Sequence, residues 1–400
     1  MILVNPNTAF TWSAPLEMPG GVSMAGIREK QGWAFSAHGY RAALEDPAID
    51  ADRYGAMIRR TLRPLSAPTL ARARAEYARR EVVAFPRYFI TEPQSHCNRK
   101  CFFCPISVVE RYDENGDPAN GIMRWEDHKK LMDECAGYDV YGLSLYQLGE
   151  SFLWRGKDEN GRKLDIADMV NYATRKAGFK AVNLSTNGDV VNLNCVLGSD
   201  LADLIFSIDG MTRDVYDYNR ESTKPNDTGA FDRTVGRVMA FLEEKAKGGL
   251  SRPWCRVQII NNHSTRHQVA DFVRHWIQVP GVDDVFCKNL DGMSAWLGDK
   301  VVSADEGAIK MDKVRTMPCQ HLWAIGSMTS SGGLNACCHD SRFELSERSP
   351  DGKLANIRTG TFAEWWNGKF MNDLRAEHLG GAVRSPCVSC AERDPWLGAI

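Results

Sequence analysis

Residues 97–104 read CNRKCFFC and place Cys97, Cys101 and Cys104 at a C-x3-C-x2-C spacing, a few positions after the apolar-rich run RYFIT. Three thiolates on one short loop can wrap three corners of a cubane iron–sulfur cluster and leave the fourth iron without a protein ligand. A structural zinc usually takes four protein ligands, and a redox dithiol takes two. A second group of cysteines follows far downstream at Cys319, Cys337, Cys338, Cys387 and Cys390, the last pair spaced C-x2-C. The single residues Cys135, Cys195 and Cys255 fall on a helix, in a loop and at the start of a strand, where core or surface positions are expected. Cys287 differs. It sits at the end of a strand-like run, VFCKN, where a thiol can return a hydrogen atom to a substrate radical.

These residues need a scaffold, and the composition says what kind. The chain has 400 residues, 43% apolar and 25% charged, so it folds as a globular protein and is long enough for one large domain with additions. A formal charge of −2 provides no overall footprint for nucleic acid or an anionic membrane. The opening MILVNPNTAF turns polar early, lacks a basic segment and precedes no long apolar run, so no signal peptide or membrane span is expected and the cytoplasm is the expected location. In that reducing compartment twelve cysteines stay thiols, and their clustering points to metal ligation.

Six strand-like runs, RYFIT, YGLSLYQL, AVNLSTN, LIFSID, CRVQIIN and DDVFCKN, alternate with segments of helical periodicity: MRWEDHKKLMDECAG, LDIADMVNYATRKAG, AFDRTVGRVMAFLEEK and TRHQVADFVRHWI. Only the link near 193–201 is poor in helix signal. Repeated βα units predict an α/β fold, a partial (β/α)6 TIM-like barrel over residues 85–300, with chemistry at the C-terminal ends of its strands. Residues 1–84 form an N-terminal extension with one expected helix, PTLARARAEYARRE. Residues 301–400 form a small cysteine-bearing domain with one strong helix, TFAEWWNGKFMNDLRAEHL.

The cysteine triplet, with aromatic Phe103 just before its third member, resembles the signature of the radical S-adenosylmethionine (SAM) enzymes. The resemblance implies a [4Fe-4S] cluster on Cys97, Cys101 and Cys104, with SAM on the open iron and reductive cleavage to a 5′-deoxyadenosyl radical. Other strand ends resemble the family in order. YQLGES is similar to its Gly-Gly-Glu-Pro segment, keeping Gly149 and Glu150 for the methionyl amino group while Leu148 and Ser151 depart from it. STNG offers Ser185 and Asn187 near the ribose, FSIDG offers Ser207 and Asp209, and YNR offers Arg220 as partner to the SAM carboxylate.

The tail, with PC at 318–319, GGLNACCHD, LANI and the closing PCVSC, is similar to the SPASM auxiliary-cluster domain in its shorter twitch form. That resemblance implies a second [4Fe-4S] cluster on Cys319, Cys337, Cys387 and Cys390. A zinc ion on the same four residues is the alternative, and Cys338 competes with Cys337 for one place. The expected activity is oxidation of a small polyhydroxylated or natural-product substrate, with the auxiliary cluster taking an electron and His263 or Asp291 a proton. The alternatives are epimerisation with Cys287 as hydrogen donor, and modification of a peptide. Expected partners are that substrate and an external one-electron reductant of flavodoxin or ferredoxin type.

Overall fold

The computed structural model describes residues 12–18, 22–27, 84–107, 121–289, 319, 321–340, 342–380 and 382–389. The helix expected in PTLARARAEYARRE lies outside them, as do Asp291 and Cys390. All six apolar runs form strands: β1 (Tyr88–Thr91), β2 (Gly142–Ser144), β3 (Ala181–Thr186), β4 (Asp203–Ser207), β5 (Trp254–Asn261) and β6 (Asp284–Asn289). Each lies parallel to its neighbour in sequence, in unbroken order from β1 to β6. A doubly wound sheet reverses strand order partway; an unreversed order sends every right-handed crossover the same way round and builds an incomplete barrel.

The crossovers are the expected helices α1 (Trp125–Cys135), α2 (Ile166–Arg175), α4 (Ala230–Lys247) and α5 (Val269–Trp276). Between β3 and β4 a single 3-10 turn, Leu193–Val196, stands where helix signal was weak. The short α3 (Arg213–Asn219) went unrecognised in the sequence because it is too brief to show a period. β2 is shorter than the run YGLSLYQL predicts. Leu145 N–H still donates to Asn183, but Ser151 Oγ then donates to the Leu145 carbonyl, and the chain turns away at the barrel mouth. Among the described residues no helix is long and apolar enough to cross a membrane.

The tail continues the same sheet. After α6 (His321–Ala324), β7 (Ile325–Met328) pairs parallel with β1 and antiparallel with β8 (Leu334–Asn335). Gly326 is required there, since a Cβ would stand 2.6 Å from the Phe89 ring and 2.7 Å from that of Phe362. The single helix expected near the C-terminus is two, α7 (Phe362–Trp366) and α8 (Lys369–Gly380). The break falls at Asn367 and Gly368, where Asn372 Nδ2 donates to the Asn367 carbonyl and a Gly368 Cβ would lie 3.0 Å from the Glu364 carbonyl oxygen. Phe362 is fully buried and meets Phe85, Phe89 and Trp366 edge-on or stacked. Glu134, at the end of α1, accepts from the Phe362 and Ala363 N–H groups at 2.9 and 2.7 Å, placing an anion at the start of α7.

At the opposite end of the strands Arg256 lies 3.2 Å from Asp203 and 3.8 Å from Asp284, all three buried. Burial, opposed by Arg256, raises both carboxyls to about 6. The folded state therefore holds protons that the unfolded chain has released, and stability falls as pH rises from about 4 to about 6. Asp284→Asn should remove one of these protons from the linkage. Urea unfolding should show wild type losing more stability than the variant across that window, and parallel pH profiles would contradict the assignment.

Candidate functional site

The cysteine loop follows β1 and is fixed from three directions. Its middle residues Arg99 and Lys100 pair antiparallel with Glu221 and Ser222, just past α3. The Arg99 side chain turns inward, inaccessible to water, and donates to Asp189 Oδ2 at 2.7 Å and Thr234 Oγ1 at 3.0 Å. Asp189, past the end of β3, also accepts from Arg233 at 2.8 Å and from Arg237. The sequence gives no hint of Arg99, since an arginine between two cysteines reads as solvated. Its signal is the tertiary ring of charge.

The loop after β2 makes the second attachment. Gly149 approaches so closely that a Cβ would stand 1.9 Å from the Gln94 carbonyl oxygen, which explains the glycine. Glu150 N–H donates to the His96 carbonyl at 2.8 Å, and Gln94 Nε2 donates to the Glu150 carbonyl at 2.7 Å. The buried Glu150 carboxylate accepts from Thr186 Oγ1 at 2.9 Å, Asn187 N–H at 2.8 Å and Phe152 N–H at 3.2 Å. Burial raises its pKa, and those three donors oppose the shift.

The third attachment comes from beyond β4. Asp209, fully buried, accepts from Arg220 Nε at 2.7 Å and from Ile260 N–H at 2.6 Å. Arg220 Nη1 thereby stands 3.7 Å from Cys101 Sγ, and the guanidinium lies 5.7 Å from the centre of the Phe103 ring. Asn187 Nδ2 stands 3.7 Å from Cys97 Sγ.

A cavity of about 140 Å³ opens where these loops meet. All three cysteines line it, with Phe103, Gly149, Glu150, Ser185, Asn187, Ser207 and Arg220. The structure thus brings together the three cysteines and every residue expected to bind SAM except Asp209, which holds Arg220 from behind. Tyr146 and Gln147 also reach the wall, and among the described residues the buried Gln147 Oε1 has no hydrogen-bond partner. His263 is exposed and bonds to Tyr218 Oη at 3.1 Å, outside the cavity lining. Cys287 takes its place in β6 opposite Ile259 of β5; its side chain is outside the described residues.

The donor set suits a cationic iron–sulfur cluster. Burial, with Glu150 and Cys101 nearby, pushes the Cys97 thiol up to about 12, and Cys101 and Cys104 also rise through burial. Such thiols ionise when a metal supplies positive charge, and the N–H donors of Arg220 and Asn187 then face anionic sulfur. In the tail, Cys319 precedes α6 and its N–H donates to His378 Nδ1 at 3.2 Å. Cys337 Sγ lies 3.9 Å from His321 Nδ1, and Cys387 begins a 3-10 turn, Cys387–Ser389.

No family model and no curated protein matches the sequence. Solved structures do. Streptococcus suis SuiB bound to S-adenosylmethionine superposes with a TM-score of 0.51 at 14% identity, covering 85% of this chain and 80% of SuiB. SuiB bound to precursor peptide SuiA gives 0.51 at 13% identity, over 84% of this chain and 75% of that one. At such identity the likeness establishes a shared fold.

Asp209→Ala should leave the Arg220 charge buried without its partner and cost about 3–5 kcal/mol. Chemical unfolding of the full chain measures this; a loss below about 1 kcal/mol would mean that Arg220 is solvated in the folded state.

Proposed function

We propose that this chain is a radical SAM enzyme that removes hydrogen from its substrate. One observation carries the reading: three thiols at the strand ends share a cavity with the buried Arg220 guanidinium and Asn187 amide, each of which stands 3.7 Å from a sulfur. The fold shared with a protein solved with SAM bound supports it. When bound, a [4Fe-4S] cluster and SAM together supply one-electron cleavage of the sulfonium and the hydrogen-abstracting power that follows.

The chain's own groups bind, orient and shield. Cys97, Cys101 and Cys104 would hold the cluster through three thiolates, and the open position would be left to SAM. Arg220, oriented by Asp209, offsets thiolate charge and faces the carboxylate. Among the described residues Glu150 Oε2 takes a single hydrogen bond, from Asn187 N–H, and keeps a lone pair for an ammonium. Ser185, Ser207 and Asn187 line the cavity wall, and Ser185 and Asn187 would face the SAM ribose. The buried walls exclude water from a reactive centre.

In the tail, Cys319, Cys337, Cys387 and Cys390 would hold an auxiliary [4Fe-4S] cluster, whose chemistry would be that of a one-electron acceptor for a substrate that leaves oxidised. An external one-electron reductant of flavodoxin or ferredoxin type supplies the barrel cluster. The substrate is a small polyhydroxylated or natural-product molecule. A peptide is the second reading, favoured by the extension. Residues 12–18 and 22–27 form an antiparallel hairpin, and the likeness to SuiB, solved with its precursor peptide, covers more of the chain than residues 84–400 contain.

Replacing Cys97, Cys101 and Cys104 together with alanine should abolish reductive SAM cleavage and lower iron by roughly four atoms per chain. Persistent cleavage in anaerobically reconstituted protein would end the proposal. Cys387→Ala with Cys390→Ala should instead lose the second cluster's iron and keep cleavage, as measured by iron content and deoxyadenosine release.

A further inference from the structure

His321, Cys338 and His339 present one ligand atom each within 4.8 Å of the others, and all three residues are buried. None belongs to the four-cysteine set of the tail. The His321 and His339 rings stand 5.5 Å apart, at an angle of 33°. Among the described residues neither ring nitrogen of His339, a residue 2% exposed, has a hydrogen-bond partner. A buried imidazole with both nitrogens unmet is costly, and an electron-pair acceptor at the shared focus would remove much of that cost.

We propose that His321, Cys338 and His339 form a mononuclear site for a borderline divalent ion, Zn2+ by donor preference. Two imidazoles and a thiolate are the soft and intermediate donors that select such an ion over calcium or magnesium. Three ligands leave a fourth position, as in zinc sites that bind water or substrate.

The backbone that carries the ligands is held in advance of binding. The Gln147 side-chain amide donates to the Cys338 carbonyl, and Asn335 Nδ2 donates to the Asp340 carbonyl at 3.1 Å. The Asp340 carboxylate accepts the N–H groups of Glu344 and Leu345 at 3.0 and 2.6 Å. Cys338 itself packs with Ile90 of β1 and Ile325 of β7. Gln147 also lines the cavity of the cysteine triplet, so a single side chain connects the ion's loop to the barrel site. Cys337 Sγ, 3.9 Å from His321 Nδ1, borders the site, and in this proposal Cys337 is left to the cluster and Cys338 to the ion.

The test uses the full chain, anaerobically reconstituted with iron and sulfide, exposed to Zn2+ and desalted. Metal analysis should find about one zinc per chain beyond the iron of the clusters. With Co2+ in its place, thiolate-to-cobalt charge transfer and tetrahedral ligand-field bands should appear. His339→Ala and Cys338→Ser should each lose the ion with iron unchanged, whereas Cys337→Ser should lose iron and keep zinc. His339→Cys, which supplies a new thiolate, should take the ion up again, and it decides the matter where an alanine variant does not fold. Failure of wild type to bind either metal would overturn the site, as would zinc retention in both variants, loss of iron on Cys338→Ser, or no uptake by His339→Cys. Loss of SAM cleavage in the barrel triple variant is read separately, so the two proposals fail independently.

Discussion

The site depends on a buried ion pair between Arg99 and Asp189. A charge taken out of water is tolerated only when it is paired and hydrogen-bonded, and Arg99 meets that condition inside the loop that carries the thiols. Asp189 in turn draws in Arg233 and Arg237 from α4, and Arg233 is shared with Asp227 at 2.6 Å. Three guanidiniums against two carboxylates, Asp189 and Asp227, leave a local excess of positive charge behind the cysteine loop. That excess suits thiolates on its other side, and the same element that anchors the loop therefore conditions its electrostatics.

Two further constraints convert an anchored loop into a cavity. Glu150 ties the end of β2 to the end of β3 through Thr186 and Asn187. Asp209 holds Arg220 against Cys101 from beyond β4. Each uses a buried carboxylate to hydrogen-bond a donor in place, so the wall's donors are oriented by the chain itself. The tail is joined to the barrel by comparable means. Asp127 of α1 meets Arg358 at 2.7 Å, Glu134 sits at the start of α7, and β7 extends the sheet beside β1. Through β7 and the loop after β8, Cys337 and Cys338 are fixed to the same sheet as the first cysteine group.

Much of this was legible in the sequence. The spacing of Cys97, Cys101 and Cys104 names a three-thiolate centre because ligand type and loop length alone limit what such a loop can wrap. Strand and helix periods predicted the six parallel strands and four crossover helices, since burial on one face leaves a repeating apolar pattern. Gly149, Glu150, Ser185, Asn187, Ser207 and Arg220 were recognisable from their order at strand ends, and the cavity gathers them all. The chemistry that they imply is carried by residue type and order along the chain.

Contacts distant in sequence decided the rest. Arg99 and Asp189 are 90 positions apart, and nothing local marks an inward-turned arginine. Asp209 reads as a wall residue and proves to be a support, because only the fold shows that Arg220 and Ile260 consume its oxygens. His263 reads as a base near the mouth, and the fold sets it exposed between Tyr218 and Phe102 of the cysteine loop, outside the cavity lining. His321 and His339 carry no spacing signal at all; an 18-residue gap is closed by the β7–β8 hairpin. Sequence determined the ligand types, the period of the elements and therefore the barrel, all of which are local properties of the chain. Tertiary structure decided which charges are buried together and which side chains share a focus, because those depend on how separate loops converge after the barrel has formed.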